Sequence, residues 1–240
     1  MEINASTRVG DVVKVNYKTA QIFDKNNIDF CCGGGMSIQK ACEKSSTDVN
    51  ELISELEDLA AAQDPESSYI NSLSLTELCD YIEKRHHGYV RENIPFLVQK
   101  LNKLCTVHGA NHPELFEVNE LFQTVAENLL KHMKDEETIL FPYIRKMEDF
   151  KNGKSDSENE FGEIFKTINV MIEEHQAEGE RLAKISSVTD NYTCPPDGCN
   201  TYNITYQTLK DFEQDLHRHV HLENNILFRR AEELEKELTK

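Results

Sequence analysis

The sequence predicts an all-α protein, and three observations lead to this class. The 240 residues include only ten Gly and six Pro, so few positions interrupt regular structure. Long segments repeat apolar residues every three or four positions, which is the period of one helix face. No segment alternates apolar and polar residues as a half-buried strand does. We expect an antiparallel up-down four-helix bundle preceded by a small helical domain.

The small helical domain is predicted over residues 1–62. Its first helix is expected over about residues 10–25, where apolar residues recur on one face. A glycine-rich turn follows at residues 29–35. Asp48 and Glu51 have the spacing of a capping box, so a further helix is predicted to begin there.

The four-helix bundle is predicted over residues 75–240, after a polar linker at residues 63–74. Ser74 and Glu77 have the spacing of a capping box for its first helix. Short connections between long helices favour antiparallel neighbours. The four helices are expected over about residues 75–104, 113–149, 159–187 and 201–236.

Each predicted helix of the bundle carries one histidine within its apolar stripe. These residues are His87, His132, His175 and His219. Glu136 and Glu223 each follow one of them by four residues, which places both side chains on one helix face. A single inward histidine is usually a hydrogen-bonded core residue. Because an ionised glutamate in a core is costly unless paired or bound to metal, the whole set predicts a metal site.

The number and type of these six ligands indicate two metal ions. In an up-down bundle with a rise of about 1.5 Å per residue, all six lie near one depth. They exceed the four ligands of one tetrahedral zinc ion. Each glutamate can bridge two metals, and four histidines give each metal two nitrogens. Mixed imidazole and carboxylate ligands suit iron, so we favour two non-haem iron ions with carboxylate and oxo or hydroxo bridges; zinc and manganese remain alternatives.

The composition argues against several classes of protein. The net charge of −17 disfavours nucleic acid as a partner, because a polyanion would be repelled. No run of about 18 apolar residues predicts a membrane span, and the first residues do not resemble a signal peptide. Seven cysteines, an odd number, indicate a reducing compartment and therefore a cytoplasmic location.

Five segments together resemble the hemerythrin-like domain and, in detail, the repair-of-iron-centres (RIC) di-iron proteins of the ScdA/YtfE group. The segments are Asp29-Phe30-Cys31-Cys32-Gly33-Gly34 and the histidine-containing stretches 86–95, 132–142, 174–175 and 219–225. By this match, the four stripe histidines would be terminal ligands, and Glu136 and Glu223 would be bridging ligands. Oxygen-carrying hemerythrins have an aspartate spaced by five on the last helix, so the spacing of four before Glu223 departs from a carrier.

The resemblance implies repair of iron–sulfur clusters after oxidative or nitrosative damage, with iron supplied from the di-iron centre. Damaged iron–sulfur proteins would be the partners, and nitric oxide or dioxygen would be small ligands. The alternatives are a nitric-oxide reductase and an oxygen- or nitric-oxide-binding sensor or carrier. Both a monomer and a homodimer fit the sequence.

Cys31 and Cys32 are the candidate catalytic thiols. They precede three glycines, and a following helix start is expected to lower a thiol pKa and favour the thiolate. A thiolate pair can bind iron, accept a nitrosyl group or exchange with a disulfide. To act on the di-iron site, the small domain would have to move, with residues 63–74 as a hinge. A purely structural turn is the alternative.

The other histidines and cysteines carry no strong signal for iron binding. Three histidines adjoin candidate ligands but point away from the stripe: His86, His217 and His221. Cys194 and Cys199 form a C-x₄-C pair, which is weak evidence for a metal site by itself. Three further cysteines are expected to be small buried apolar residues: Cys42, Cys79 and Cys105.

Overall fold

The computed structural model describes residues 1–62, 64–154 and 161–239, and in these ranges it contains helices but no β-strand. The first five helices are α1 (Val9–Val15), α2 (Ala20–Lys25), α3 (Ile38–Ser45), α4 (Val49–Ala60) and α5 (Pro65–Ser72). The others are α6 (Leu75–Ile82), α7 (Gly88–His108), α8 (Glu114–Asp135), α9 (Phe141–Lys151), α10 (Ile164–Val188), α11 (Asn200–Leu222) and α12 (Phe228–Leu238). The all-α prediction is confirmed, and the up-down order of the bundle stays a prediction.

Three π-helical turns join consecutive helices into longer stretches. They are Glu83–His87 between α6 and α7, Glu136–Leu140 between α8 and α9, and Glu223–Leu227 between α11 and α12. The N–H of the residue that follows each turn donates to the carbonyl of the first residue of the turn, five positions earlier. The predicted first, second and fourth helices are therefore present, each interrupted once. The third is present as α10, and its predicted start at residue 159 lies outside the described residues.

Both predicted capping residues, Ser74 and Asp48, lie at helix starts. The Glu77 N–H donates to Ser74 Oγ at 3.2 Å, and Glu77 Oε2 accepts from the Ser74 N–H at 2.8 Å. Asp48 Oδ1 accepts from the N–H groups of Asn50 and Glu51. These bonds satisfy amides that have no partner within a helix, which fixes where α4 and α6 begin.

The single helix predicted over residues 10–25 is wrong, because Asn16 breaks it into α1 and α2. The Asn16 side-chain oxygen accepts from the Lys18 N–H at 3.0 Å. Its Nδ2 donates to the carbonyls of Leu59 and Ala62, at 3.0 and 3.1 Å. Asparagine competes with the helix by bonding to nearby backbone, and here it also secures the end of α4.

The predicted linker at residues 63–74 contains helix α5. Asp64 caps the helix by accepting from the Ser67 N–H at 3.1 Å, and Pro65 occupies the first turn, where no N–H is required. Ser67 Oγ accepts from the Tyr17 N–H at 3.1 Å. Asn71 Nδ2 donates to the Lys14 carbonyl at 2.8 Å. The segment is therefore packed against the N-terminal helices and is not an extended connection.

Backbone contacts divide the chain into two compact units. The first unit comprises Met1–Asp80, Tyr143–Ile168 and Arg218–Lys240, and the second comprises Tyr81–Pro142 and Asn169–His217. These units group residues by proximity and not by order along the chain. The domain boundaries expected at residues 62 and 75 therefore stay a prediction.

In the first unit, Asn225 anchors the turn that carries the two adjacent cysteines. Its Nδ2 donates to the Cys31 carbonyl at 3.0 Å and to the Phe30 carbonyl at 3.3 Å. Gly34 lies directly against the same side chain, because a Cβ at residue 34 would be 2.5 Å from Asn225 Oδ1. Arg229 adds an ion pair to Asp11 at 2.8 Å. The N-terminal turn is thereby fixed to the last helical stretch.

We expect Gly34→Ala to lower the free energy of unfolding by about 1–3 kcal/mol, because the added methyl group overlaps Asn225. Gly35→Ala is the matched control in the same short turn, where the nearest atom to an added Cβ is Arg229 Nη2 at 3.8 Å. Urea unfolding followed by circular dichroism measures both variants. Equal losses in the two would contradict the close packing of Asn225 on Gly34.

In the second unit, side chains from four helices contact one another. The Phe212 ring of α11 lies 5.4 Å from Phe122 of α8 and 6.3 Å from Tyr89 of α7, between ring centroids. Asn128 of α8 donates to Glu178 of α10 at 2.8 Å. None of the described helices combines the length and apolar character needed to cross a bilayer.

Candidate metal centre

Three histidines and a glutamate form a buried cluster in the second unit: His87, His132, His175 and Glu136, each at most 3% exposed. Glu136 Oε2 lies 3.4 Å from His87 Nε2, and its Oε1 lies 3.4 Å from His132 Nε2. The Nε2 atoms of His132 and His175 are 2.8 Å apart. The carboxylate therefore presents one oxygen to each of two histidines, which is an arrangement that can bridge two cations.

Carboxylates outside the cluster orient two of its histidines. Glu137 Oε1 lies 2.7 Å from His87 Nδ1, and Glu174 Oε2 lies 2.7 Å from His132 Nδ1. When Nδ1 donates its hydrogen to the carboxylate, Nε2 carries the lone pair that a metal needs. Metal-binding histidines in proteins commonly have such a carboxylate partner.

The first unit holds a second buried pair, His219 and Glu223, on its last helical stretch. His219 Nε2 lies 2.9 Å from Glu223 Oε1. The two residues are 1% and 0% exposed, respectively. As at His132 and Glu136, the spacing of four brings an imidazole and a carboxylate together on one face, as the sequence predicted.

The three π-helical turns coincide with candidate ligands. His87 is the last residue of the first turn, and Glu136 and Glu223 are the first residues of the other two. A π turn is rare in helices and frequently lies at a functional site. The regular period of 3.6 residues from which the helices are predicted does not reveal these turns.

The donor groups fit iron. Imidazole nitrogens and carboxylate oxygens are the ligands of many non-haem iron sites. The ligand atoms of His132, Glu136 and His175 all lie within 4.8 Å of one another. A fully buried carboxylate such as Glu136 is costly in a protein core, and a bound cation would offset that cost.

The neighbouring histidines have different surroundings. His86 Nδ1 lies 3.1 Å from Asp215 Oδ2 in the second unit. His221 packs against Tyr17 and Phe30 in the first unit, with ring centroids 6.1 Å apart in both pairs. Burial lowers the pKa of His221 to about 3, so its imidazole is neutral at pH 7.

The double-cysteine turn is more enclosed than expected. Cys31 is 6% exposed, whereas Cys32 is half-buried. Asp29 Oδ1 accepts from the N–H groups of both cysteines at 2.9 Å and lies 3.2 Å from Cys31 Sγ. The hydrogen bond with Cys32, then burial, then the charges of Cys32 and Asp29 raise the pKa of the Cys31 thiol. The expected lowering of a thiol pKa is therefore wrong for Cys31, because its sulfur is hydrogen-bonded to Cys32 and buried.

No hinge motion is needed to bring this turn to the helix that carries Glu223. Asn224 and Asn225 belong to the same π turn as Glu223, and the Nδ2 atoms of both contact the Cys31 carbonyl, at 3.5 and 3.0 Å. The hinge expected at residues 63–74 is occupied by packed helix α5. The cysteines and Glu223 are thus already attached to one element of the first unit.

Two family models match the chain. The hemerythrin HHE cation binding domain matches residues 80–231, which include all six candidate ligands. ScdA_N, a domain of unknown function, matches residues 5–60, which include both cysteines of the turn. A hemerythrin-like domain implies binding of non-haem iron.

Curated relatives match almost the whole chain. The iron-sulfur cluster repair protein ScdA of Staphylococcus epidermidis is 32% identical over 224 residues, 93% of this chain and 96% of its own. ScdA of Staphylococcus haemolyticus is 31% identical over 220 residues, 92% of this chain and 95% of its own. The iron-sulfur cluster repair protein YtfE of Yersinia pestis is 34% identical over 215 residues, 89% and 91% of the two chains. This chain therefore belongs to the hemerythrin HHE family, in the group of the iron–sulfur cluster repair proteins ScdA and YtfE.

Proposed function

We propose that this protein repairs damaged iron–sulfur clusters by supplying iron from a centre of two non-haem iron ions. One observation carries the proposal: the buried Glu136 presents one oxygen to His87 and the other to His132, each at 3.4 Å. The names of the relatives, which describe iron–sulfur cluster repair, support the function.

The proposed centre uses all six ligands that the sequence predicts. His87, His132, His175 and His219 are its terminal ligands, and Glu136 and Glu223 are its bridging carboxylates. The single domain match over residues 80–231 includes all six, which supports their assignment to one centre. When bound, the two iron ions supply redox chemistry and open positions for nitric oxide or dioxygen.

Two carboxylates that orient the histidines connect the proposed iron centre with the protein surface. Glu137 and Glu174 accept the Nδ1 hydrogens of His87 and His132 and so leave both Nε2 lone pairs available to bind iron. Their side chains are 25% and 36% exposed, so a client protein can reach them. A contact that draws either carboxylate away would let its histidine rotate and would weaken the hold on iron.

The proposed clients are damaged iron–sulfur proteins, and the proposed location is the cytoplasm. An odd number of cysteines, seven, fits a reducing compartment in which such clients occur. The acidic net charge of −17 favours clients that present a basic surface.

Reactivation of a damaged iron–sulfur hydratase by isotope-loaded protein tests the proposal. The hydratase is inactivated with nitric oxide, and this protein is loaded with labelled iron under anaerobic conditions. We expect activity and label to appear in the client together. Repair without transfer of label would contradict iron supply and indicate chemistry on the damaged cluster. Formation of nitrous oxide without repair would favour the nitric-oxide reductase instead.

We expect alanine at any of the four terminal histidines to deplete the purified protein of iron. His217→Ala is the matched control for His219→Ala, because both lie in α11. The neighbours His86, His217 and His221 should matter less, with affinity losses of at most about 10–100-fold. Iron content and competition with a chelator measure the ranking. If His221→Ala emptied the site and His219→Ala did not, the assignment along this helix would be wrong by two residues.

A further inference from the structure

Cys199 and His108 form a thiol–imidazole pair in the second unit, outside the residues assigned to iron. Cys199 Sγ lies 3.3 Å from His108 Nε2. Cys199 is exposed and directly precedes α11, so its sulfur lies at the N-terminus of a helix of 23 residues. The Tyr202 N–H, then the His108 side chain, lower the pKa of the Cys199 thiol to about 7.

The groups around this pair hold the loop before α11 in place. The His108 ring packs edge-on against Tyr202, with centroids 5.4 Å apart. His112 Nε2 lies 3.0 Å from Asp197, and its Nδ1 lies 2.9 Å from Glu114. The negative charge of Asp197 is therefore matched by His112, whose pKa is raised chiefly by its bond with Glu114.

Cys194 supplies a second thiol next to Cys199. The segment between them folds into a turn in which the Gly198 N–H donates to the Pro195 carbonyl at 2.8 Å. A Cβ at residue 198 would lie 2.5 Å from Cys194 Sγ, so this sulfur rests against the residue that precedes Cys199. Burial, then the charges of Cys199 and Asp197, raise the pKa of the Cys194 thiol. An exposed thiol of low pKa thus has a less acidic thiol beside it.

We propose that Cys199 and Cys194 form a thiol–disulfide exchange site whose substrates are low-molecular-weight disulfides. The Cys199 thiolate attacks one sulfur of the disulfide, forms a mixed disulfide and releases one thiolate. Cys194 then loses its proton to solvent and attacks Cys199 Sγ, which releases the second thiolate. The substrate disulfide gains two electrons and becomes two thiols, while the chain gains a Cys194–Cys199 disulfide.

The pair has the features that this exchange requires. The attacking species is the thiolate, and the best attacking thiol has a pKa near the ambient pH. A helix N-terminus and a neighbouring imidazole both favour the thiolate of Cys199. The internal disulfide between Cys194 and Cys199 would close a loop of only six residues.

Alkylation with iodoacetamide between pH 5 and 9 tests the reactivity of Cys199 in the full, iron-loaded chain. Peptide mass mapping gives the rate at each cysteine, and the half-buried Cys105, whose pKa burial raises, is the internal control. We expect an inflection near pH 7 at Cys199. At pH 6 a thiol of pKa 7 has about 30-fold more thiolate than a thiol of ordinary pKa. Because a thiolate of lower pKa is less nucleophilic, its alkylation should be only about sixfold faster than that of the ordinary thiol. His108→Asn should move the inflection upward. An inflection at an ordinary thiol pKa, unchanged by this variant, would overturn the proposal.

Treatment with oxidised glutathione tests the role of Cys194. We expect the unmodified chain to form the Cys194–Cys199 disulfide, and Cys194→Ser to retain glutathione on Cys199. Cys199→Ser should form neither product, and iron content should be the same in all three proteins. Stable glutathione on Cys199 of the unmodified chain, without the internal disulfide, would reject Cys194 as the second thiol. An unreacted Cys199 would reject the site.

Discussion

Replacement of either Glu136 or Glu223 by leucine is expected to abolish the coupled di-iron centre. In the proposed centre each glutamate binds both metals, so its loss removes an anionic ligand from two ions at once. Loss of an outer partner of a ligand typically costs about 10–100-fold in affinity, and loss of a bridging ligand should exceed that range. Leucine is buried without a desolvation cost, so the apo fold should persist.

Iron analysis and Mössbauer spectroscopy of anaerobically reconstituted protein measure this effect. The unmodified chain should bind about two irons, as di-iron carboxylate proteins do. Each leucine variant should lose the coupled spectrum as a whole and not retain one normal ion. Circular dichroism reports whether the helices remain.

Glu178→Gln is the matched control for these variants. Glu178 is 4% exposed, lies in α10 three residues after His175, and accepts from Asn128 at 2.8 Å. It is therefore a buried carboxylate of the second unit, like Glu136, but without an assigned role at iron, and its variant should keep both ions. A normal coupled spectrum in the Glu136→Leu/Glu223→Leu double variant would show that these carboxylates do not bridge.

The features that follow a regular period along the chain were predictable. The spacing of four between His132 and Glu136 indicated one shared face, and their side chains lie 3.4 Å apart. The Ser74–Glu77 pattern marked the start of α6, because a capping box depends only on residues within one turn. Local periodicity thus identified the helices and the residues that face inward.

Features that depend on distant contacts were not predictable. Asn225 and Cys31 are separated by 194 residues, and no local pattern records their hydrogen bond. The same contact attaches the double-cysteine turn to the π turn that carries Glu223. The π turns also lack a local signal, since the sequence around Glu223 fits a regular helix equally well.

The Cys31→Ser/Cys32→Ser variant is expected to retain iron and fold but to lose at least about tenfold in repair rate, because serine supplies neither a thiolate ligand nor a thiolate nucleophile. Asn225 contacts the Cys31 carbonyl and not its sulfur, so the substitution leaves that anchor in place. Serine can also keep the hydrogen bond that Cys31 Sγ makes with Asp29. A loss of repair rate in this variant would therefore result from loss of the thiol groups and not from a change in the fold of the turn.

The two cysteines and Asp29 form a group of side chains that could hold a metal ion. Ligand atoms of Asp29, Cys31 and Cys32 lie within 4.8 Å of one another. Their turn is bonded to Asn225, two residues after the proposed bridging ligand Glu223.

The single variants separate the two sulfurs. Cys32 is the more exposed, so Cys32→Ser should impair exchange with a client more than Cys31→Ser does. Cys105→Ser, in the second unit, is the control for loss of a thiol as such and should keep full activity. The assay is reactivation of the damaged hydratase, with iron content measured in parallel. Full repair by the double variant at normal iron content would leave the turn with a structural role only, because its sulfurs would then be dispensable while its backbone bonds to Asn225 remain.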